Sequence, residues 1–378
     1  MFESEFSEDI KATAQQAAES ILQPTVKEDD ENEVFRPSLM QQLGENELCG
    51  IPSPDEYGGS GLGYFEYAMA LEEIAKVSAS YGISVAVSGL PQVILAEFGN
   101  VEQKQKWIPG LASGELLGAF ALSEPESGSD AGSLQTTAQL EGDNYVLNGT
   151  KFWITHGGYA DVYIVMARTG QAGPKGVSSF IVPKETPGLS FGKKEEKMGL
   201  RASPTVEMIL QNAIIPKENL IGAEGQGFTV AMSALDSGRI TIGAISVGLA
   251  QAAFNDAAQY ACIRRQFKKP IIKFQGVGFL LADMEMAIES ARLLVHKAAL
   301  LKDQGKPFTH VASMAKCAST DAAMMVTTNA VQIFGGYGYT REYNVERYMR
   351  DAKVMQIVEG TNQVQRFVMM RNIEARYS

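Results

Sequence analysis

A carboxylate set between an apolar run and a flexible pair can serve as a base, and Glu359 in "IVEGTNQVQR" is such a group: "VMQIV" leads into it and Gly360-Thr361 follows. Burial beside apolar groups raises a carboxyl pKa and makes it a better acceptor for a proton on carbon. Gly360 permits close backbone approach, and Thr361 is a good N-cap for the amphipathic "NQVQRFVMMRNIEARY". The same ten residues also fit a helix-start charge that the helix dipole favours, with no chemistry attached.

Four other stretches carry groups suited to a site. "FALSEPESGSD" places Phe120, Leu122 and Ser123 where a β-segment ends, offering backbone donors and acceptors; an ordinary Ser/Gly-rich loop is the other reading. In "FWIT", Trp153 supplies a flat apolar surface, and strand alternation puts the Thr155 hydroxyl on the same side, unless Trp153 is simply core. "IRRQFKKPI" is a basic cluster in an acidic protein, in which Arg264 suits a pyrophosphate and Phe267 suits stacking, and a solvated turn is the alternative. "ALDSGR" presents Asp236 and Arg239 at (i, i+3), able to address a polar chain along a helix or to form a surface ion pair.

The formal charge of −11 argues against general nucleic-acid binding. Neither GxGxxG nor GxxxxGK[ST] occurs, so the common dinucleotide and P-loop phosphate cradles are missing. His156, His296 and His310 have no metal-ligand spacing, Cys49, Cys262 and Cys317 form no CxxC pair, and no GxSxG elbow is present. Neither a metal site nor a serine hydrolase is expected. The opening "MFESEFSEDIKATAQQ" lacks signal-peptide regions and is too acidic for a transit peptide, which reads as bacterial-type cytoplasmic, or as mitochondrial matrix after removal of a leader. The longest mildly apolar stretch, "ITIGAISVGLAQAAF", falls short of a membrane span.

The 378 residues predict two or three domains. Residues 1–118 read as helical, with "KEDDENE" and "GIPSPDEYGGSGLG" as loops. Residues 119–226 carry short strand-like runs, with a hairpin turn expected at Asn148-Gly149 in "YVLNGTKFWIT". Residues 227–378 return to the helical period, with Val277, Leu281, Met284, Ile288, Ala291 and Val295 on one stripe. Helix, sheet, helix without βαβ alternation makes this an α+β protein rather than a Rossmann fold.

The series "FALSEPESGSDAGSLQTTA", "LNGTKFWIT", "RRQFKKPIIKFQ", "QIFGGYGYTREYNVERYMRDAK" and "IVEGTNQVQR" resembles the acyl-CoA dehydrogenase family in order and spacing over almost the whole chain. "ADMEMAIESARLL" and "GKKEEKMGLRASPT" look most like its short-chain, butyryl-CoA branch. The resemblance implies a helical N-terminal domain, a middle β-barrel or sheet and a C-terminal four-helix bundle. It further implies FAD as cofactor, an acyl-CoA substrate, a homotetramer and an electron-transfer flavoprotein as acceptor.

Carried over residue by residue, the resemblance makes Glu359 the base. It puts Phe120, Leu122, Ser123, Trp153 and Thr155 at the flavin, and Arg264, Gln266, Phe267, Gln332 and Gly336 at the FAD of a neighbouring subunit. Thr361 and Gln363 contact the cofactor or adenosine, while Ser129, Asp236, Arg239 and Gly360 meet the substrate. Some family branches take their base from the position just before the arginine matching Arg239, which here is Gly238. Three departures stand out: His156 replaces a common Asn and reads as a satisfied surface histidine, Lys268 replaces a Gly after Phe267, and Val358 replaces a bulkier aromatic. A branched-chain dehydrogenase, an acyl-CoA oxidase and a non-catalytic scaffold are the competing readings; a scaffold would be expected to have lost the base or flavin motifs.

Overall fold

In the computed structural model, which describes residues 6–378, the chain runs helix, sheet, helix; the first five residues of the acidic opening lie outside the described part. Six helices come first: α1 (Ser7–Ala17), α2 (Val26–Asn32), α3 (Pro37–Glu45), α4 (Tyr64–Val77), α5 (Ala79–Phe98) and α6 (Val101–Ala112). The run "KEDDENE", expected as a loop, instead forms most of α2. Tertiary pairing explains the difference, since Asp29 and Asp30 are buried there against Arg36 and Arg350, each at 2.7 Å. The N-terminus of α4 is capped from the far end of the chain, where the Asp303 carboxylate accepts the N–H groups of Tyr64 at 2.7 Å and Phe65 at 3.0 Å. α5, rather than the stretch singled out above, has the length and hydropathy of a membrane span, but 89% of that window is packed inside the protein, so it is a core helix.

The middle region holds β1 (Gly118–Ala121), β2 (Thr137–Glu141), β3 (Asn144–Thr155), β4 (Val162–Arg168), β5 (Val177–Pro183), β6 (Leu189–Lys194), β7 (Thr205–Pro216) and β8 (Leu220–Ile221). They form one sheet in the order β6-β7-β3-β2-β4-β5-β8, with β1 parallel to β4. The hairpin turn falls at Gly142-Asp143, between the paired Glu141 and Asn144, and not at Asn148-Gly149. β3 runs straight through Asn148-Gly149, which makes a bulge against β7. Gly149 is needed there because a Cβ would lie 2.7 Å from the Thr136 Cα.

The third region begins with α7 (Gly227–Ile263), a 37-residue helix. A small hairpin, β9 (Arg265–Gln266) and β10 (Lys269–Pro270), leads into α8 (Gln275–Asp303), α9 (Thr309–Phe334), α10 (Val345–Met355) and α11 (Asn362–Tyr377). α7, α8 and α9 pack together, α10 and α11 lie on α9, and α7 also contacts α4, α5 and β5. The α8 stripe is where the period put it: Leu281, Met284, Ile288, Ala291 and Val295 are buried, with Val277 packed at their edge. The β6–β7 connection is tied to α10 by the Asp351 carboxylate, which accepts the Leu200 N–H at 2.6 Å.

Candidate active site

Glu359 sits between α10 and α11 in a turn that few residues adopt, with φ 53° at Glu359 and 85° at Gly360. Side chains around it hold that turn. Gln365 Nε2 donates to the carbonyls of Glu359 at 3.0 Å and Gly360 at 2.9 Å, and Lys316 Nζ donates to the Gly360 carbonyl at 2.9 Å. Thr361 is the N-cap of α11, its hydroxyl accepting the Val364 N–H at 3.2 Å. The Glu359 side chain is half-buried, and its Oε2 is shielded and has no hydrogen-bond partner among the described residues. Burial pushes the carboxyl up to about 7, against the opposing pull of Arg239 and Lys316. That value suits a base working near neutrality.

The carboxylate lies against α7 at Gly238, where a built Cβ would stand 2.6 Å from Oε2. One residue on, Arg239 is buried and pairs with Asp236 through Nη1, while its Nε has no partner among the described residues. Asp236 Oδ2 also accepts the Thr309 hydroxyl at 2.5 Å. The Asp236–Arg239 pair is therefore shielded beside Glu359, not a solvated ion pair on the surface.

A second cluster forms where β1 ends beside β3. Ser123 accepts the Phe152 N–H at 2.8 Å, and Leu122 accepts the Lys151 ammonium at 3.0 Å, so the Leu122-Ser123 edge is fixed to β3. Lys151 is itself fully buried and pairs with Glu124 at 2.7 Å. Burial pushes Lys151 down to about 8, opposed by Glu124; burial also works against the Glu124 charge, but Lys151 and backbone donors outweigh it and keep that carboxyl low. Trp153 is 60% exposed, with φ 64°, in an irregular stretch between Lys151 and Ile154. Simple strand alternation from Trp153 to Thr155 is thus broken by that irregularity. His156 is not a surface histidine. It is buried with its ring stacked on Phe35 at 5.1 Å and Nδ1 3.1 Å from the Gly118 carbonyl, and burial pushes it down to about 4.

The third cluster lies at the opposite end of α7, where Arg264, Gln266 and Gly336 line one cavity of about 510 Å³ with Tyr337 and Phe334. Phe267 is 86% exposed at the tip of the β9–β10 hairpin. Phe267 and Lys268 have φ 48° and 67°, so Lys268 takes the left-handed conformation that a glycine would occupy without strain. Gln332 is exposed in the last turn of α9, and Phe120 is half-buried in β1. Ser129 and Gln363 are exposed, and no side-chain hydrogen bond among the described residues ties either to the three clusters.

Lys316, Gln365, Lys151 and Glu124 are the supporting residues that the motif reading passed over. The available signal for Lys316 was a lone charge in the small, apolar run "ASMAKCAS". The groups present fit a flavin nucleotide: an exposed indole beside a backbone edge fixed at the Leu122 and Ser123 carbonyls, and a guanidinium, an amide and an open glycine backbone around a separate cavity.

Family models match the chain in three consecutive parts: the acyl-CoA dehydrogenase N-terminal domain over residues 4–115, the middle domain over 119–213 and the C-terminal domain over 225–374. The chain is 46% identical to a short-chain specific acyl-CoA dehydrogenase of Clostridium acetobutylicum, over 96% of this chain and 97% of that one. It is 45% identical to the mitochondrial short-chain specific acyl-CoA dehydrogenase of Mus musculus, covering 97% and 90%. Among solved structures, butyryl-CoA dehydrogenase from Megasphaera elsdenii superposes with a TM-score of 0.96 at 45% identity, covering 98% and 99%. A chain in the structure of the electron transferring flavoprotein of Acidaminococcus fermentans gives 0.97 at 48%, covering 98% of each. By sequence over nearly all of its length and by fold, the chain belongs to the acyl-CoA dehydrogenase family.

Proposed function

We propose that this chain is an FAD-dependent dehydrogenase of short straight-chain acyl-CoA thioesters, with Glu359 as its base. The observation that carries this reading is the Glu359 carboxyl, with an unpartnered Oε2, a pKa pushed up to about 7 and the bare backbone of Gly238 alongside. Oε2 takes the pro-R α-proton. Bound FAD supplies the acceptor, at flavin N5, for the β-hydrogen as hydride, and the product is the trans-2-enoyl thioester. Trp153, Thr155, Phe120, Leu122 and Ser123 hold the flavin ring. Asp236, Arg239, Ser129 and Gly360 border the thioester and its polar arm, and Thr361 and Gln363 meet the nucleotide end.

Arg264, Gln266, Phe267, Gln332 and Gly336 serve a second copy. Arg264 follows Arg239 by twenty-five residues along α7, so roughly 37 Å separate them, too far to share one flavin ring within a chain. That distance supports a cofactor finished by a neighbouring copy, and the family resemblance makes the assembly a homotetramer. Short-chain preference and an electron-transfer flavoprotein as acceptor rest on the similarity to the Clostridium, Megasphaera and Acidaminococcus proteins.

Anaerobic titration with butyryl-, octanoyl- and isovaleryl-CoA, followed by flavin absorbance, tests the substrate. Bleaching at low butyryl-CoA is expected. A response only to another thioester keeps the mechanism and reassigns the acyl group, and no response to any of them removes the reading.

A further inference from the structure

We propose that Lys316 is a positioning residue for the base: its ammonium clamps the Glu359-Gly360 turn and supplies the fixed positive charge that keeps Glu359 ionisable. The inference rests on Glu359 being the base. Lys316 is fully buried in α9, an expensive place for a cation, and it donates to the Gly360 carbonyl at 2.9 Å and to Asn362 Oδ1 at 3.0 Å. Both contacts lie within three residues of Glu359 on a turn with two successive left-handed residues, which relaxes unless it is held. Asn362 is fixed in turn by Thr320 at 2.9 Å and Asp321 at 2.7 Å.

The charged groups around the turn are Asp236 and Arg239 on α7, Lys316 and Asp321 on α9, and Arg366 on α11. Asp236 and Arg239 pair with each other, and Asp321 pairs with Arg366 at 3.0 Å. The hydrogen-bond acceptors of Lys316, by contrast, are uncharged, so its field acts on Glu359 and Asp321 without a contact partner to cancel it. Burial pushes Lys316 down to about 8, opposed by the neighbouring Glu359, Cys317 and Asp321, which favour its charged form.

The test is Lys316→Met, with kcat and the pH dependence of kcat/KM measured on FAD-loaded protein beside wild type and Glu359→Gln. Displacement of the base by a fraction of an ångström predicts a kcat lower by about ten-fold or more. Loss of the positive charge raises the pKa of the base, so the acid limb should move up by about half a unit or more. A lower kcat with an unmoved limb would make Lys316 merely structural and overturn the proposal. If Lys316→Met does not fold, Lys316→Gln decides, since it keeps a hydrogen-bond donor and removes the charge: the acid limb should still move up by about half a unit or more, and an unmoved limb overturns the proposal. Full activity in Glu359→Gln would instead remove the base reading itself, whatever Lys316 does.

Discussion

Two fully buried lysines, Lys151 under the Leu122-Ser123 edge and Lys316 under the Glu359 turn, make the same contact with opposite electrostatic results. Each donates to a backbone carbonyl of a candidate site segment, Leu122 at 3.0 Å and Gly360 at 2.9 Å, and burial pushes each down to about 8. Lys151 has its own carboxylate, Glu124, at 2.7 Å, whereas the hydrogen-bond acceptors of Lys316 are neutral. The sheet edge is therefore held by a locally neutral unit that fixes geometry. At the turn the charge is left over, and it bears on Glu359, the proposed base.

The largest effect expected is in Glu359→Gln, where general-base loss predicts kcat lower by about a thousand-fold with FAD retained. Adding Lys316→Met to that variant should cost little further activity if Lys316 acts through Glu359, and an independent second loss would break the contrast. Next comes Lys151→Met, which strands Glu124 and should cost about 3–5 kcal/mol in urea denaturation, largely recovered by adding Glu124→Gln. Lys316→Met strands no carboxylate in direct contact and should cost less stability. Equal losses in the two lysine variants would erase the distinction.

Gly238→Ala puts a methyl where the Glu359 Oε2 stands, and kcat/KM should fall by about ten-fold, while the helix itself gains from the alanine. A fully active Gly238→Ala would mean that the base is free to move away from α7. The smallest effect concerns His156, whose pKa is held at about 4 by burial. Because the unfolded chain binds that proton more readily, stability is intact above the usual histidine value and declines as pH falls toward 4. Between about pH 7.5 and 5.5 the loss should be roughly 1 kcal/mol. His156→Asn should flatten that slope in thermal melts while tolerating the left-handed φ of 64°.

Much of the architecture was legible because it follows from local periodicity. The α8 stripe stands where its pattern placed it, and strands β2 to β8 fall within the region read as short strand-like runs. Misplacements came wherever a distant partner overrode a local signal: α2 is helical with Asp30 held by Arg350 from the far end of the chain, and Asn148-Gly149 is a bulge because β3 pairs with β7 across it. His156 was misread for the same reason, since nothing adjacent in sequence announces that Phe35 and Gly118 enclose it.

The sequence by itself determined the inventory: a carboxylate before Gly-Thr, a glycine in place of the alternative base, a basic cluster in an acidic chain and the order of helical and β regions. Only the tertiary structure decided what those groups are chemically. Burial pushes the Glu359 carboxyl up to about 7 against the pull of Arg239 and of Lys316, a cation on a helix more than forty residues away, and both the burial and the two cations depend on packing between elements. Periodicity says which face of a helix is buried; it does not say which charge will be buried next to which.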